Sequence, residues 1–270
     1  MKDKRVLYVS SEVIPYLPET EISSMSFEAP RIVNNNSGQI RIFMPRYGNI
    51  NERRHQLHEV IRLSGMNLNI NDLDMPLIIK VASIPKERMQ VYFIDNEEYF
   101  KRKATYSDEE GNLYGDNDER AIFFAKGVIE TVKKLNWAPD IIHVHGWLAS
   151  LLPLYLNKYY KDEPLFENSK IVLSVYNQGY DGALNEAMIE KIEYDGISHE
   201  DVEPLKEPTY ANLMKVAIDN ANAVVVGSEE LPGEIEEYLK KVEKPVLKYH
   251  KLDEAEAAFL DFYKTKVLED

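Results

Sequence analysis

Three groups of side chains in this sequence have types and spacings that could do chemistry. Ser10-Ser11-Glu12 closes the short apolar run Arg5–Ser10. In open α/β sheets ligands bind beyond the carboxyl ends of the strands, so hydroxyls and a carboxylate at such an end could hold a polar ligand. The same serines would serve equally well to cap a following helix. His143 and His145 lie two apart in Ile141–His145, so on a strand they share a face. No third metal ligand is near them and six histidines is no excess, so no metal is expected. His145, at the end of its strand, is expected to face the crevice with His143 partly buried. There its ring could donate a hydrogen bond to a substrate oxygen or a phosphate, which makes it the catalytic candidate. His55 and His58, one helical turn apart beside Arg53 and Arg54, read as solvated surface.

These groups need elements to position them. Arg5–Ser10 has the form of a buried parallel strand. Glu21–Asn35 is helical in pattern, with Pro30 interrupting it and Asn34-Asn35-Asn36-Ser37-Gly38 as a stop signal. Residues 39–44 form a second strand, giving a βαβ unit. Residues 57–71 and 76–94 hold extended runs, with Pro85-Lys86-Glu87-Arg88 as a hairpin turn. Residues 101–118 are polar and read as a mobile surface loop. Asn117–Leu135 places Ala121, Phe124, Ala125, Val128, Val132 and Leu135 on one helical face. Strands follow at Ile141–His145, Lys170–Val175, Ala223–Val226 and 245–249. Helices are expected at 147–160, 210–220, 232–241 and 253–266, with a turn at 177–181. Strands alternate with helices over nearly the whole chain, so the fold class is α/β with a Rossmann-like, mainly parallel sheet flanked by helices.

Composition bounds the function. The chain has 270 residues, no cysteine, and 32 basic against 46 acidic residues, a net charge of −14. Without cysteine there is no disulfide framework and no thiolate metal site. The acidic excess is the opposite of what a phosphate-backbone binder needs, so nucleic acid is not an expected partner. The basic start is followed by an apolar stretch too short for a signal segment, and no run approaches the ~18 apolar residues of a membrane span. A cytoplasmic location with no membrane partner is expected. The patterns Gly-x-Gly-x-x-Gly and the P-loop are both absent, so a dehydrogenase is disfavoured, as is a deaminase for want of a metal triad. There are 12 glycines, about 4% against a usual ~7%.

Six ordered motifs carry a resemblance. They are Val9-Ser10-Ser11-Glu12-Val13 with Pro15; Met44-Pro45-Arg46-Tyr47-Gly48; Asp116-Asn117 with Arg120; Pro139-Asp140-Ile141-Ile142-His143-Val144-His145 with Trp147; Ser174-Val175-Tyr176-Asn177 with Tyr180-Asp181-Gly182; and Asn212-Leu213-Met214-Lys215 with Ala221-Asn222-Ala223-Val224 and Ser228. In this order and spacing they resemble the N-terminal half of the bacterial glycogen synthase and plant starch synthase family. That family transfers glucose from ADP-glucose to an α-1,4-glucan with retention, on a GT-B fold of two Rossmann-like domains facing a cleft. The resemblance implies a starch-synthase-like domain over residues 1–250 and a packed C-terminal helix over 251–270, with the donor-binding second domain absent. It implies sugar or phosphate contacts at Ser11, Glu12, Asp116, Asn117, Asn177, Tyr180 and Asn212, beside His145, and no bound cofactor.

The departures from the family pattern bear on function. Its Lys-Thr-Gly-Gly-Leu, whose lysine and amides hold the donor phosphates, is here Pro18, Glu19, Thr20, Glu21 and Ile22. The cation is gone, proline has no N–H, and both glycines carry side chains. Glu19 and Glu21 would repel a diphosphate, by roughly 1 kcal/mol per pair of charges at ~4 Å in water. The family's His-Asp-Trp-His is His145-Gly146-Trp147-Leu148, and its His-Asn is Tyr176-Asn177. Two readings follow. The chain is a synthase-family glucosyltransferase, impaired alone, with a partner chain supplying the donor half. Alternatively it is a non-catalytic glucan-binding or regulatory partner of a true synthase. An α-glucan such as glycogen or a maltooligosaccharide is the expected ligand, and ADP-glucose is disfavoured. An uncovered crevice wall would suit a second copy or a partner protein.

Overall fold

A computed structural model describes residues 1–269 of the chain. Arg5–Ser10 (β1) is a strand because Val6, Leu7, Tyr8 and Val9 are buried on both faces, as a central parallel strand requires. Glu21–Asn35 (α1) starts at Thr20, whose hydroxyl accepts from the Ser23 N–H while the Ser23 hydroxyl accepts from the Thr20 N–H. The expected interruption at Pro30 does not occur. The helix runs through it, because Ile22, Met25, Ala29, Ile32 and Val33 on the same face are buried, which outweighs a proline penalty of about 3 kcal/mol. Gln39–Pro45 (β2) completes the βαβ unit.

The next stretch is less regular. Glu52–His55 (α2) and His58–Glu59 (β3) are separated by Gln56, whose φ of 55° ends the helix. His55 and His58 therefore do not share a helix: His55 packs edge-on against Tyr16 and His58 lies exposed on β3. Met66–Ile70 (β4), Leu73–Ile84 (β5) and Met89–Asp95 (β6) follow, with the 85–88 turn where it is expected. After Glu97–Phe100 (α3), the 101–116 segment is not free. The fully buried Arg120 of Asn117–Leu135 (α4) donates to the carbonyls of Tyr99 and Thr105, and Asn117 donates to that of Tyr106.

The second half supplies Ile141–His145 (β7), Leu152–Lys158 (α5), Lys170–Val175 (β8), Met188–Tyr194 (α6), His199–Val202 (α7), Tyr210–Asp219 (α8), Ala223–Val226 (β9), Gly233–Leu239 (α9), Val246–Leu247 (β10) and Ala255–Phe262 (α10). A π-helical turn, Tyr263–Val267, extends α10. The expected 245–249 strand shrinks to two residues. The sheet order is β10-β9-β8-β7-β1-β2-β6-β5-β3, with β4 on β5. Pairings from β10 through to β6 are parallel, and those made by β5 are antiparallel. α1 and α10 cover one face: Phe259, Phe262 and Tyr263 are buried, and Phe259 and Tyr263 pack against His143 of β7. Among the described residues no helix is long and apolar enough to cross a membrane, and no group of three or more metal-ligating side chains could hold an ion.

Candidate functional site

The chain leaves β1 toward β2 on one side, while β7 lies on the other and leads to β8. That reversal is the topological switch point of the sheet, where α/β folds open a crevice. Ser10 stands opposite His145 there, and Ser174 lies beside His145 on β8. Ser10 does not cap a helix. Its hydroxyl contacts the carbonyl of Glu12 at 2.7 Å, the N–H of Glu12 at 3.1 Å and the Ser26 hydroxyl of α1 at 2.7 Å. Ser11 is buried too, its N–H donating to the His145 carbonyl at 3.0 Å. Gly146 follows with φ 81° and ψ 154°, and a Cβ there would lie 2.5 Å from the Ser11 hydroxyl. Only glycine fits this approach.

Glu12 follows Ser11 at this turn and is buried, only 6% exposed. The Thr20 hydroxyl donates to it at 2.8 Å, the Tyr106 hydroxyl at 2.9 Å, and the Gln178 amide to both oxygens at 3.1 and 3.2 Å. Every one of these donors is neutral. Tyr106 also packs against Trp147, with centroids 4.9 Å apart, and Trp147 against Tyr180 at 5.0 Å. Two segments distant in sequence, at Tyr106 and Gln178, thus meet the nearby Thr20 on one carboxylate.

The first turn of α1 is the second component. A helix N-terminus attracts anions through its free N–H groups and its dipole. Here Thr20 caps the Ser23 N–H, and the carboxylate of Glu21, in the first turn, accepts from the Ser228 hydroxyl. That hydroxyl in turn accepts from the Asn177 N–H at 2.8 Å. Among the described residues no lysine or arginine forms an ion pair with Glu12, Glu19 or Glu21. An arriving polyanion would meet carboxylates without paired cations. A cavity of about 280 Å³ opens beside this turn, lined by Thr20, Glu21, Ser24, Gly227, Tyr249 and His250 among others.

His145 is placed at the end of β7 as expected but does not face the crevice. It is fully buried on the sheet face that α1 covers, with its ring among Tyr8, His143 and Tyr176. Nδ1 shares a hydrogen bond of 2.8 Å with the Tyr176 hydroxyl, and Nε2 is buried without a protein partner. Burial pushes its pKa down to about 3, so the ring is neutral. His143, expected to be partly buried, is wholly so. It bonds Tyr263 through Nδ1 and Ser174 through Nε2, and burial, then His145, holds its pKa well below the usual range.

The remaining candidates divide. Asp116 is bound by both guanidinium nitrogens of Arg102. Asn117 is fully buried and braces Arg120 and the Tyr106 carbonyl. Tyr180 donates to the Pro208 carbonyl at 2.9 Å, and Asn212 donates to that of Glu207 at 2.9 Å while accepting from Lys215. Asn177 alone among them is exposed with its side chain free of hydrogen bonds in the described residues. Thr20, Tyr106 and Gln178 were not singled out as contacts from sequence. Thr20 acts locally, as the cap of α1 eight residues from Glu12, while Tyr106 and Gln178 reach Glu12 from 94 and 166 residues away, which no local pattern marks.

The chain is similar to known proteins over most of its length. The model of the starch synthase catalytic domain matches residues 5–245. Glycogen synthase of Chlorobium luteolum is 36% identical over 245 residues, covering 86% of this chain and 49% of that protein. Glycogen synthase of Chlorobium limicola is 37% identical over 227 residues, covering 83% and 44%. The chain spans about half the length of the curated relatives it matches. The catalytic domain of starch synthase IV from Arabidopsis thaliana, solved with ADP and acarbose, superposes with a TM-score of 0.67 at 15% identity, covering 83% of this chain and 45% of that one.

Proposed function

The chain belongs to the family of starch synthase catalytic domains, and on that premise we propose that it serves α-glucan metabolism as a domain that does not by itself hold ADP-glucose. The observation that carries this is the first turn of α1. Where the family resemblance puts a phosphate-gripping loop, Thr20 spends its hydroxyl on the helix cap and on Glu12, and Glu21 sets its own carboxylate against Ser228. Stabilisation of the departing diphosphate is usually the largest catalytic contribution in such transfers, and this turn offers no cation for it. What suits a sugar nearby is the exposed Asn177, whose side-chain amide is free of hydrogen bonds among the described residues, beside the half-buried ring of Tyr180. The role is a non-catalytic glucan-binding or regulatory one, in a cytoplasmic setting beside a complete synthase.

Titration calorimetry tests it. Maltoheptaose should release heat on binding, while ADP and ADP-glucose at the same concentrations should not. Micromolar binding of ADP-glucose, or glucose transfer to glycogen by the chain alone, overturns the proposal. Transfer that appears only when a second chain is added would favour the reading in which a partner supplies the donor half.

A further inference from the structure

The segment between β10 and α10 is held differently from everything on either side. Before it, Val246 and Leu247 pair with Val224 and Val225 of β9. After it, Phe259, Phe262 and Tyr263 are buried, and Tyr263 bonds both His143 and Tyr8. Between these anchors residues 248–254 are half-buried or exposed, Leu252 to 45%. Among the described residues, no side chain from Lys248 to Asp253 makes a hydrogen bond or ion pair. The backbone adds only the bonds that open α10, Glu254 to Lys251 and Ala255 to Leu252.

Space surrounds this segment. Tyr249, His250 and Leu252 form one wall of the 280 Å³ cavity whose other wall is Thr20, Glu21, Ser24 and Gly227. Tyr249 also borders a concavity of about 700 Å³ with Leu231 and Leu239, and His250 borders one of about 600 Å³ with Ala258 and Phe262. A segment that fills none of the space beside it and satisfies few polar groups loses little when it lifts. Such segments open locally at free energies far below that of global unfolding.

We propose that residues 248–254 are a strap that lifts off the first turn of α1 while β10 and α10 stay docked, so that it governs access to the cavity beside Glu21. This goes beyond the glucan reading and does not depend on which ligand the crevice takes.

The chain has no cysteine, so a single introduced thiol reports on opening. Ser24→Cys puts it beneath the strap, and Val33→Cys puts it under the far end of the same helix, both buried. A maleimide carrying a bulky polyethylene glycol chain is the probe. Ser24→Cys should be labelled at least about 100-fold faster than Val33→Cys, at a rate changing less than about twofold over sub-denaturing urea, the signature of local opening. Replacing Tyr249, His250 and Leu252 with glycine should speed labelling of Ser24→Cys at least about tenfold. Equal rates at the two sites with the same steep urea dependence overturn the proposal, as does a strap replacement without effect. Should the thiol variants fail to fold, hydrogen exchange on the native chain decides. The amides of Glu254 and Ala255, which bond the Lys251 and Leu252 carbonyls, must open independently of amides 259–266, and joint exchange overturns the strap.

Discussion

The knot on Glu12 gives the sharpest quantitative test. Glu12→Gln keeps the size of the side chain but removes its charge and turns one acceptor oxygen into a donor. Four contacts from three side chains converge on the carboxylate. A hydrogen bond to a charged group contributes about 1.5–3 kcal/mol, and an unsatisfied buried donor costs about 1–3 kcal/mol. The glutamine amide must turn its NH₂ toward either Thr20 or Tyr106, so one bond is lost and two donors confront each other. The expected destabilisation is about 2–4 kcal/mol, or roughly a 4–16 °C drop in Tm for a chain of this size. Tyr106→Phe should cost about 1.5–3 kcal/mol by losing its hydroxyl while keeping its packing on Trp147. Since the two variants break the same bond, the double variant should fall short of additivity by about 1–2 kcal/mol. Urea unfolding of all four proteins, read by tryptophan fluorescence, gives the cycle. A Glu12→Gln variant within about 0.5 kcal/mol of the parent, or coupling below about 0.3 kcal/mol, would refute the assignment of Glu12 as the buried centre of the crevice.

Three further outcomes are expected. Gly146→Ala should destabilise by roughly 2–4 kcal/mol in thermal melts, because φ 81°, ψ 154° is essentially a glycine-only conformation and the new Cβ would meet Ser11. Tyr263→Phe should cost about 1–3 kcal/mol and speed amide exchange across 255–267, since the lost hydroxyl strands His143 Nδ1. Stability should fall with acid. His143 and His145 have folded pKa values below their unfolded value near 6.5, so the unfolded state binds more protons below that pH; their contribution is complete above about pH 6.5 and is lost toward the folded value, about 3 for His145. With both histidines the slope is at most about 2.7 kcal/mol per pH unit, and His145→Phe should roughly halve it in urea titrations between pH 6 and 4. A pH-independent midpoint over that range would contradict the neutral pair.

The frame of the fold is legible in local patterns. The strands at Arg5–Ser10, Ile141–His145, Lys170–Val175 and Ala223–Val226 and the helix at Asn117–Leu135 follow from local patterns: short apolar runs between polar stops, and apolar residues returning every three to four positions. The order of those elements gives the α/β sheet, and six spaced motifs give the family. Pro30 shows where local pattern yields, since packing on the sheet carries α1 through a residue that would stop an isolated helix. The partners of the long-range polar side chains emerge from packing. Glu12 is bound by Tyr106 and Gln178, which lie 94 and 166 residues away, and Tyr263 reaches back to His143 across 120. Hydrogen bonds between distant segments leave no periodicity in the chain. His145 could therefore be placed at a strand end from sequence, while the side of the sheet it faces, and the helix that buries it there, could not.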